Sequence, residues 1–223
     1  MVSPVSGPDT ATGFDAWAST YEHGVLQPTL YVPAQQRALQ LARQLLPGPR
    51  RVLDVGCGTG RLLRQARQHY PAAILVGVDL AWGMVVTGAA AAPTELRIRH
   101  VRGTAEQLPF ADRTFDLVIV TMSLRHWTDL GAGIAQIHRV LIPGGVLVVA
   151  DALPAPRRGG IQITAPWRRA HSLSGVPTEL AAMLIANGLV VISCDRMPWF
   201  RMPDIHVIAA QKPLRPRLDH PVT

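Results

Sequence analysis

Along the 223-residue chain, short and almost unbroken apolar runs alternate with longer stretches whose apolar residues recur at helical spacing. Thr29 to Leu46 reads as a helix stopped by Pro47, Gly48 and Pro49. Arg51 to Val55 reads as a short buried strand that runs into a glycine-rich turn, and Arg61 to His69 as the next helix. Ala73 to Asp79 and Arg97 to Arg102 are further strands, with a weak helix between them over Gly83 to Ala91. Phe115 to Thr121 is nearly all apolar, the mark of a strand covered on both faces. A helix over Leu130 to Leu141 ends at Pro143-Gly144-Gly145, which is expected to turn the chain into the strand Val146 to Ala150. Glu179 to Asn187 is a short helix closed by Gly188, and Leu189 to Cys194 and Ile205 to Ala210 finish the series. The alternation predicts an α/β fold in three layers: a mostly parallel seven-stranded sheet whose last strand runs antiparallel.

The length suits one domain over 1–223. Within it, 1–48 is expected to form a helical cap, 153–177 a substrate-side insertion, and 212–223 a loose tail. The net charge of +7 fits a nucleic acid, an anionic substrate or a basic surface. Arg61, Arg64 and Arg67 recur every three residues and are expected to form a solvated helical stripe. No apolar run is long enough to span a bilayer, and Met1 to Thr10 is polar, without the pattern of a secretory leader. Cys57 and Cys194 form neither a disulfide framework nor a metal spacing, which points to a reducing, cytoplasmic compartment.

The glycine turn carries the chemistry. Gly56, Gly58 and Gly60 follow a strand and open a helix, where backbone N–H groups and the helix dipole favour an anionic group. The dinucleotide fingerprint would place a glycine where Arg61 stands. Asp54, just ahead of the glycines, would repel a pyrophosphate but attract an ammonium group. An amino-acid moiety satisfies both ends: its ammonium faces Asp54 and its carboxylate faces the helix.

The run Val52 to Gly60 (Val-Leu-Asp-Val-Gly-Cys-Gly-Thr-Gly) resembles the first motif of the class I methyltransferases, which use S-adenosylmethionine (SAM). The likeness continues through Val76 to Asp79, Gly103 to Phe110, Phe115 to Val118 and Val140 to Leu147. With Phe14 to Tyr21 ahead of it, it covers roughly residues 14 to 151. Within that Rossmann-like class, the chain is similar to the ubiquinone/menaquinone-type and small-molecule methyltransferases. The resemblance implies that Asp54, Gly56, Cys57, Gly58 and Gly60 cradle the cofactor's amino acid. It implies that Asp79 takes the ribose hydroxyls, that Leu80 and Met84 flank the adenine, and that Ala105 offers its N–H to the adenine edge. Met122 would lie beside the cofactor. Where the family often has Asp, this chain has Thr104, whose hydroxyl can still accept from the adenine amino group. Glu106 could help there or cap a helix.

The reaction so implied is in-line methyl transfer to a carbon, oxygen or nitrogen of a small acceptor, in secondary or small-molecule metabolism, leaving S-adenosylhomocysteine. His126, at the end of the fourth strand, is a candidate base or substrate ligand. Tyr21 and His23, on the N-terminal segment, are weaker candidates. Trp127, with Trp167, Arg168 and Arg169 in the insertion, suits a flat anionic or aromatic acceptor. No metal site is expected, and either a monomer or a homodimer is compatible with the sequence. An RNA methyltransferase, or a SAM-binding protein that does not methylate, remains an alternative. The lack of an RNA-binding module argues against nucleic acid.

Overall fold

The structure is a computed structural model and describes residues 11–93, 97–152, 178–197 and 204–214. In chain order these form α1 (Ala11–Trp17), a 3-10 turn (Tyr21–His23), a π-helical turn (Gln27–Tyr31), α2 (Val32–Leu45), β1 (Arg51–Val55), α3 (Arg61–His69), β2 (Ile74–Asp79), α4 (Trp82–Ala91) and β3 (Ile98–Arg102). β4 (Phe115–Thr121), a 3-10 turn (Leu124–His126), α5 (Leu130–Val140), β5 (Leu141–Ala152), α6 (Thr178–Ala186), β6 (Val190–Met197) and β7 (Ile205–Gln211) follow.

The strands join in one sheet of order β3-β2-β1-β4-β5-β7-β6, in which β7 runs antiparallel to both β5 and β6. β1 and β4 are central, and their Val and Ile residues are buried on both faces between two apolar layers. From β1 the chain winds one way to β2 and β3, then crosses back to β4. That reversal opens a crevice beyond the C-terminal ends of β1 and β4, where open α/β sheets bind ligands.

Three expectations are revised. α2 is part of the core layer: its buried Ala34, Ala38 and Ala42 let it lie close against β5 and β7, so only the segment ahead of it is free to cap anything. Pro143-Gly144-Gly145 does not end the helix in a simple turn. β5 already pairs with β4 at Leu141, and the extra residues are absorbed as a bulge before Val146 meets Leu117. Lys212, expected to begin a loose tail, is anchored. Its ammonium donates to the carbonyls of His138 and Leu141, 2.7 and 2.8 Å away, covering the C-terminal end of α5.

The start of α3 shows why the last glycine of the turn is required. Gly60 has φ +74°, and a Cβ there would stand 2.3 Å from Nε2 of His100, which fills the space between α3 and α4.

Candidate active site

The crevice is lined by the glycine turn, the ends of β2 and β4, the loop after β3, and the N-terminal segment. The amides of Gly56 and Cys57 both donate to the Val78 carbonyl, at 2.8 and 3.1 Å, which pulls the turn towards β2. Gly56 takes φ +74°, and a Cβ there would meet the Ser123 side chain at 2.5 Å, so both the conformation and the space call for glycine. Ser123 in turn donates from its hydroxyl to the Val55 carbonyl at 3.1 Å, so the turn and the end of β4 are built as one piece. Cys57 points into the core against Gly77, and burial holds its thiol protonated.

Two carboxylates sit behind this turn. Asp54 is buried, and its Oδ1 has no hydrogen-bond partner. Burial, with the neighbouring charge of Asp79, pushes it up to about 8. Asp79 accepts from the Gly58 amide (2.8 Å) and the Ala81 amide (2.9 Å), and burial raises its pKa too. An orphan carboxylate oxygen beside a second carboxylate is a site for a cation, so Asp54 fits the ammonium of SAM. Asp79 lines the cavity.

Leu80 and Met84 both line the cavity, the first half-exposed and the second buried beneath it. Ala105, Thr104 and Glu106 form the opposite wall. The Thr104 hydroxyl accepts from the Gln107 amide at 3.1 Å, so its lone pairs are shared with its own turn. Glu106 accepts from the amides of Thr128 (2.7 Å) and Asp129 (3.2 Å), tying this loop to the start of α5. Its observed contacts are those of a helix-entry cap.

At the end of β4, Met122 lies buried with φ +53°, a left-handed conformation that costs a non-glycine residue roughly 1–2 kcal/mol. The conformation is held by its amide bond to the Ala150 carbonyl and by the next two residues. Ser123 bonds Val55, and the Leu124 amide donates to Asp151 at 2.9 Å. This pedestal presents His126 and Trp127 to the cavity. His126 stacks edge-to-face with Phe14 at 5.0 Å, and its Nε2 accepts from Nε of Arg125 at 3.0 Å.

The N-terminal segment closes one side. Tyr21 lies over Gly58 and packs edge-to-face on Trp17 at 4.9 Å. Burial raises its phenol far above the ordinary range, helped by Tyr31 and the two nearby carboxylates. A base role for Tyr21 is therefore disfavoured, whereas its hydroxyl remains a donor. His23 is exposed and does not line the cavity. Trp167, Arg168 and Arg169 lie outside the described residues.

The arginine stripe is not a solvated face. Glu22 accepts from the Thr59 hydroxyl (2.5 Å), from Arg61 (3.2 Å) and from Arg64, and Arg61 also donates to the Glu22 carbonyl. Against the upward pull of burial, the Thr59 hydroxyl and the two guanidinium groups hold Glu22 below the usual carboxylate range. Arg67 donates to the carbonyls of Tyr70, Pro71, Ala73 and Arg97. Asp15 adds a second tether, accepting from the Gly83 amide at 2.6 Å. Glu22, Asp15 and Arg125 went unseen as site residues; the only sequence signal of the first two is charge in or beside the Phe14–Tyr21 run, and that of Arg125 is its place next to His126. Breaking the clasp with Glu22→Gln is expected to weaken S-adenosylhomocysteine binding about three- to tenfold, given roughly 1 kcal/mol for a partly exposed network. Calorimetric titration, with faster tryptic cleavage near Arg61, checks this.

Comparison with known proteins agrees with this geometry. Residues 53–149 match the family model described as a methyltransferase domain. The demethylmenaquinone methyltransferase of Thermus thermophilus is 36% identical over 124 residues, 55% of this chain and 56% of that protein. The ubiquinone/menaquinone biosynthesis C-methyltransferase UbiE of Geobacter sulfurreducens is 41% identical over 105 residues, 45% of this chain and 41% of that protein. The chain thus spans about half the length of the curated relatives it matches. The fold is shared with Burkholderia thailandensis 1,6-didemethyltoxoflavin-N1-methyltransferase, solved with its substrate and S-adenosylhomocysteine (TM-score 0.68, 20% identity, 96% of this chain and 93% of that one). Residues 53–149 thus match a methyltransferase domain, and the chain has the Rossmann-like fold of the class I, SAM-dependent methyltransferases. Within that class its likeness is to the ubiquinone/menaquinone type, and its cofactor is SAM.

Proposed function

We propose that this protein transfers a methyl group from SAM to a nucleophilic carbon or oxygen of a small aromatic acceptor of the hydroquinone kind, in the cytoplasm. The observation that carries this reading is a crevice lined by a glycine turn, Asp79 and an aromatic wall of Phe14, His126 and Trp127, with the orphan buried carboxylate of Asp54 directly behind the turn. When bound, SAM supplies an electrophilic methyl group on a sulfonium centre.

The chain's own residues position and enclose. Asp54 holds the ammonium, Asp79 the ribose hydroxyls, and Leu80 and Met84 the adenine, while Tyr21 covers the glycine turn and excludes water. Such positioning can supply about 7–11 kcal/mol of the barrier for an in-line displacement. At the acceptor side, His126 orients the ring. With Nε2 already accepting from Arg125, a proton added there would face a guanidinium, so the imidazole serves better as a fixed wall and hydrogen-bonding partner than as a base. Acceptors that are already ionised, or that lose their proton to water after the methyl bond forms, suit this arrangement.

The test is incubation with methyl-labelled SAM and a reduced, unmethylated naphthoquinol, followed by mass spectrometry of the acceptor. Label in the acceptor supports the reading; label in none of a panel of quinols, phenols and carboxylates rejects it. A positioning role predicts that His126→Asn keeps turnover within about tenfold of wild type. His126→Ala should raise the acceptor KM and leave SAM affinity unchanged. A general base would instead lose roughly a hundredfold or more in kcat in both variants.

A further inference from the structure

At the opposite end of the sheet from the SAM crevice, the N-terminal ends of β1 and β2 and the C-terminal ends of α2 and α3 enclose a second cleft of about 470 Å³. Its polar lining is Arg50, Arg51, His69 and Tyr70, and Arg43 of α2 lies within electrostatic reach of both His69 and Tyr70. Tyr70 is only 3% exposed, and its hydroxyl has no hydrogen-bond partner. Burial pushes that phenol up to about 12, so it stays protonated and a donor at neutral pH.

A bland account exists for basic residues at helix C-termini, since they complement exposed carbonyls. Here that role is already filled. Arg67 alone donates to the carbonyls of Tyr70, Pro71 and Ala73 around the end of α3. The side chains of Arg43, Arg50 and Arg51 make no ion pair among the described residues. Asp116, next to both arginines, accepts instead from the backbone amides of Arg50 and Arg51, at 3.1 and 2.8 Å. Arg50 and Arg51, without an ion-pair partner among the described residues, thus border a cleft beside Tyr70, whose buried hydroxyl has no acceptor.

We propose that this cleft is a binding site for a phosphate-bearing small molecule, whose oxyanion is gripped by Arg50 and Arg51 and accepts from the Tyr70 hydroxyl. Planar guanidinium forks match phosphate oxygens, and an acceptor on the floor relieves the orphan hydroxyl. The volume exceeds what one phosphate fills and suits a pyrophosphate or a sugar phosphate. The site lies beneath α3, whose other end is the glycine turn, so occupancy can be felt at the cofactor without contact with it.

The experiment titrates the full chain, saturated with S-adenosylhomocysteine, with inorganic phosphate, pyrophosphate and ribose 5-phosphate by calorimetry. Wild type is expected to bind at least one of the three. Arg50→Gln/Arg51→Gln should weaken that binding tenfold or more and Tyr70→Phe several-fold, with S-adenosylhomocysteine affinity within twofold in both. Tighter ribose 5-phosphate assigns the site to a metabolite, and tighter inorganic ions to free phosphate or pyrophosphate. The proposal is overturned by no binding at millimolar concentration, by binding that the substitutions leave unchanged, or by displacement of S-adenosylhomocysteine.

Discussion

An Asp79→Ala variant is expected to bind SAM about 1.5–3 kcal/mol more weakly, a rise in Kd of roughly ten- to two-hundredfold. Two losses combine. The ribose loses its charged acceptor, and the amides of Gly58 and Ala81 lose theirs, which lets the glycine turn relax away from β2. Asp79→Asn is not expected to rescue the affinity. Each carboxylate oxygen accepts from a different amide, and an Asn side chain would turn its NH₂ against one of them. Calorimetric titration measures the loss, and circular dichroism separates it from unfolding. Unchanged affinity would remove Asp79 from the site.

SAM affinity should also rise steeply with pH, by roughly tenfold per unit up to about pH 8. Asp54 stands at about 8 without ligand, so at neutral pH it is largely protonated, and gripping an ammonium requires it to ionise. Below pH 8 binding therefore releases a proton; above it Asp54 is already charged and the gain ends. The sign for folding is opposite. A carboxyl raised from 3.8 to about 8 stabilises the ligand-free fold fully at low pH, and that contribution is lost as pH rises through this window. Asp54→Asn should flatten both profiles. Titrations in buffers of different ionisation enthalpy count the released proton, and an affinity independent of pH between 6 and 8 would overturn the role.

The central strands were legible to the residue, because a strand covered on both faces must be largely apolar, as Val52, Leu53 and Val55 and the run Leu117 to Val120 are. The glycine turn and both carboxylates were equally legible, since steric and electrostatic demands there act over a few neighbouring positions. What escaped depends on pairings that local patterning does not specify. Arg61 and Arg64 look solvated in a helical projection, yet both meet Glu22, some forty positions earlier. His126 reads as a candidate base or substrate ligand, and nothing in the pattern shows that Arg125 folds back on its Nε2. Pro143-Gly144-Gly145 reads as a turn because local propensity carries no sign of the ladder to β4 and β7 that overrides it.

The Glu22 clasp dictates a sequence in time. Tyr21 roofs the glycine turn while Glu22 grips Thr59, Arg61 and Arg64, so the cofactor is expected to enter and leave when that grip is undone. For the proposed transfer, SAM loads first, the acceptor arrives at the finished aromatic wall, the methylated product departs, and S-adenosylhomocysteine leaves last. Steady-state turnover is then paced by unclasping, and product inhibition becomes competitive with SAM and noncompetitive with the acceptor. With the spent cofactor held under such a latch, the proposed transfer would register, through its own rate, how quickly its surroundings clear S-adenosylhomocysteine.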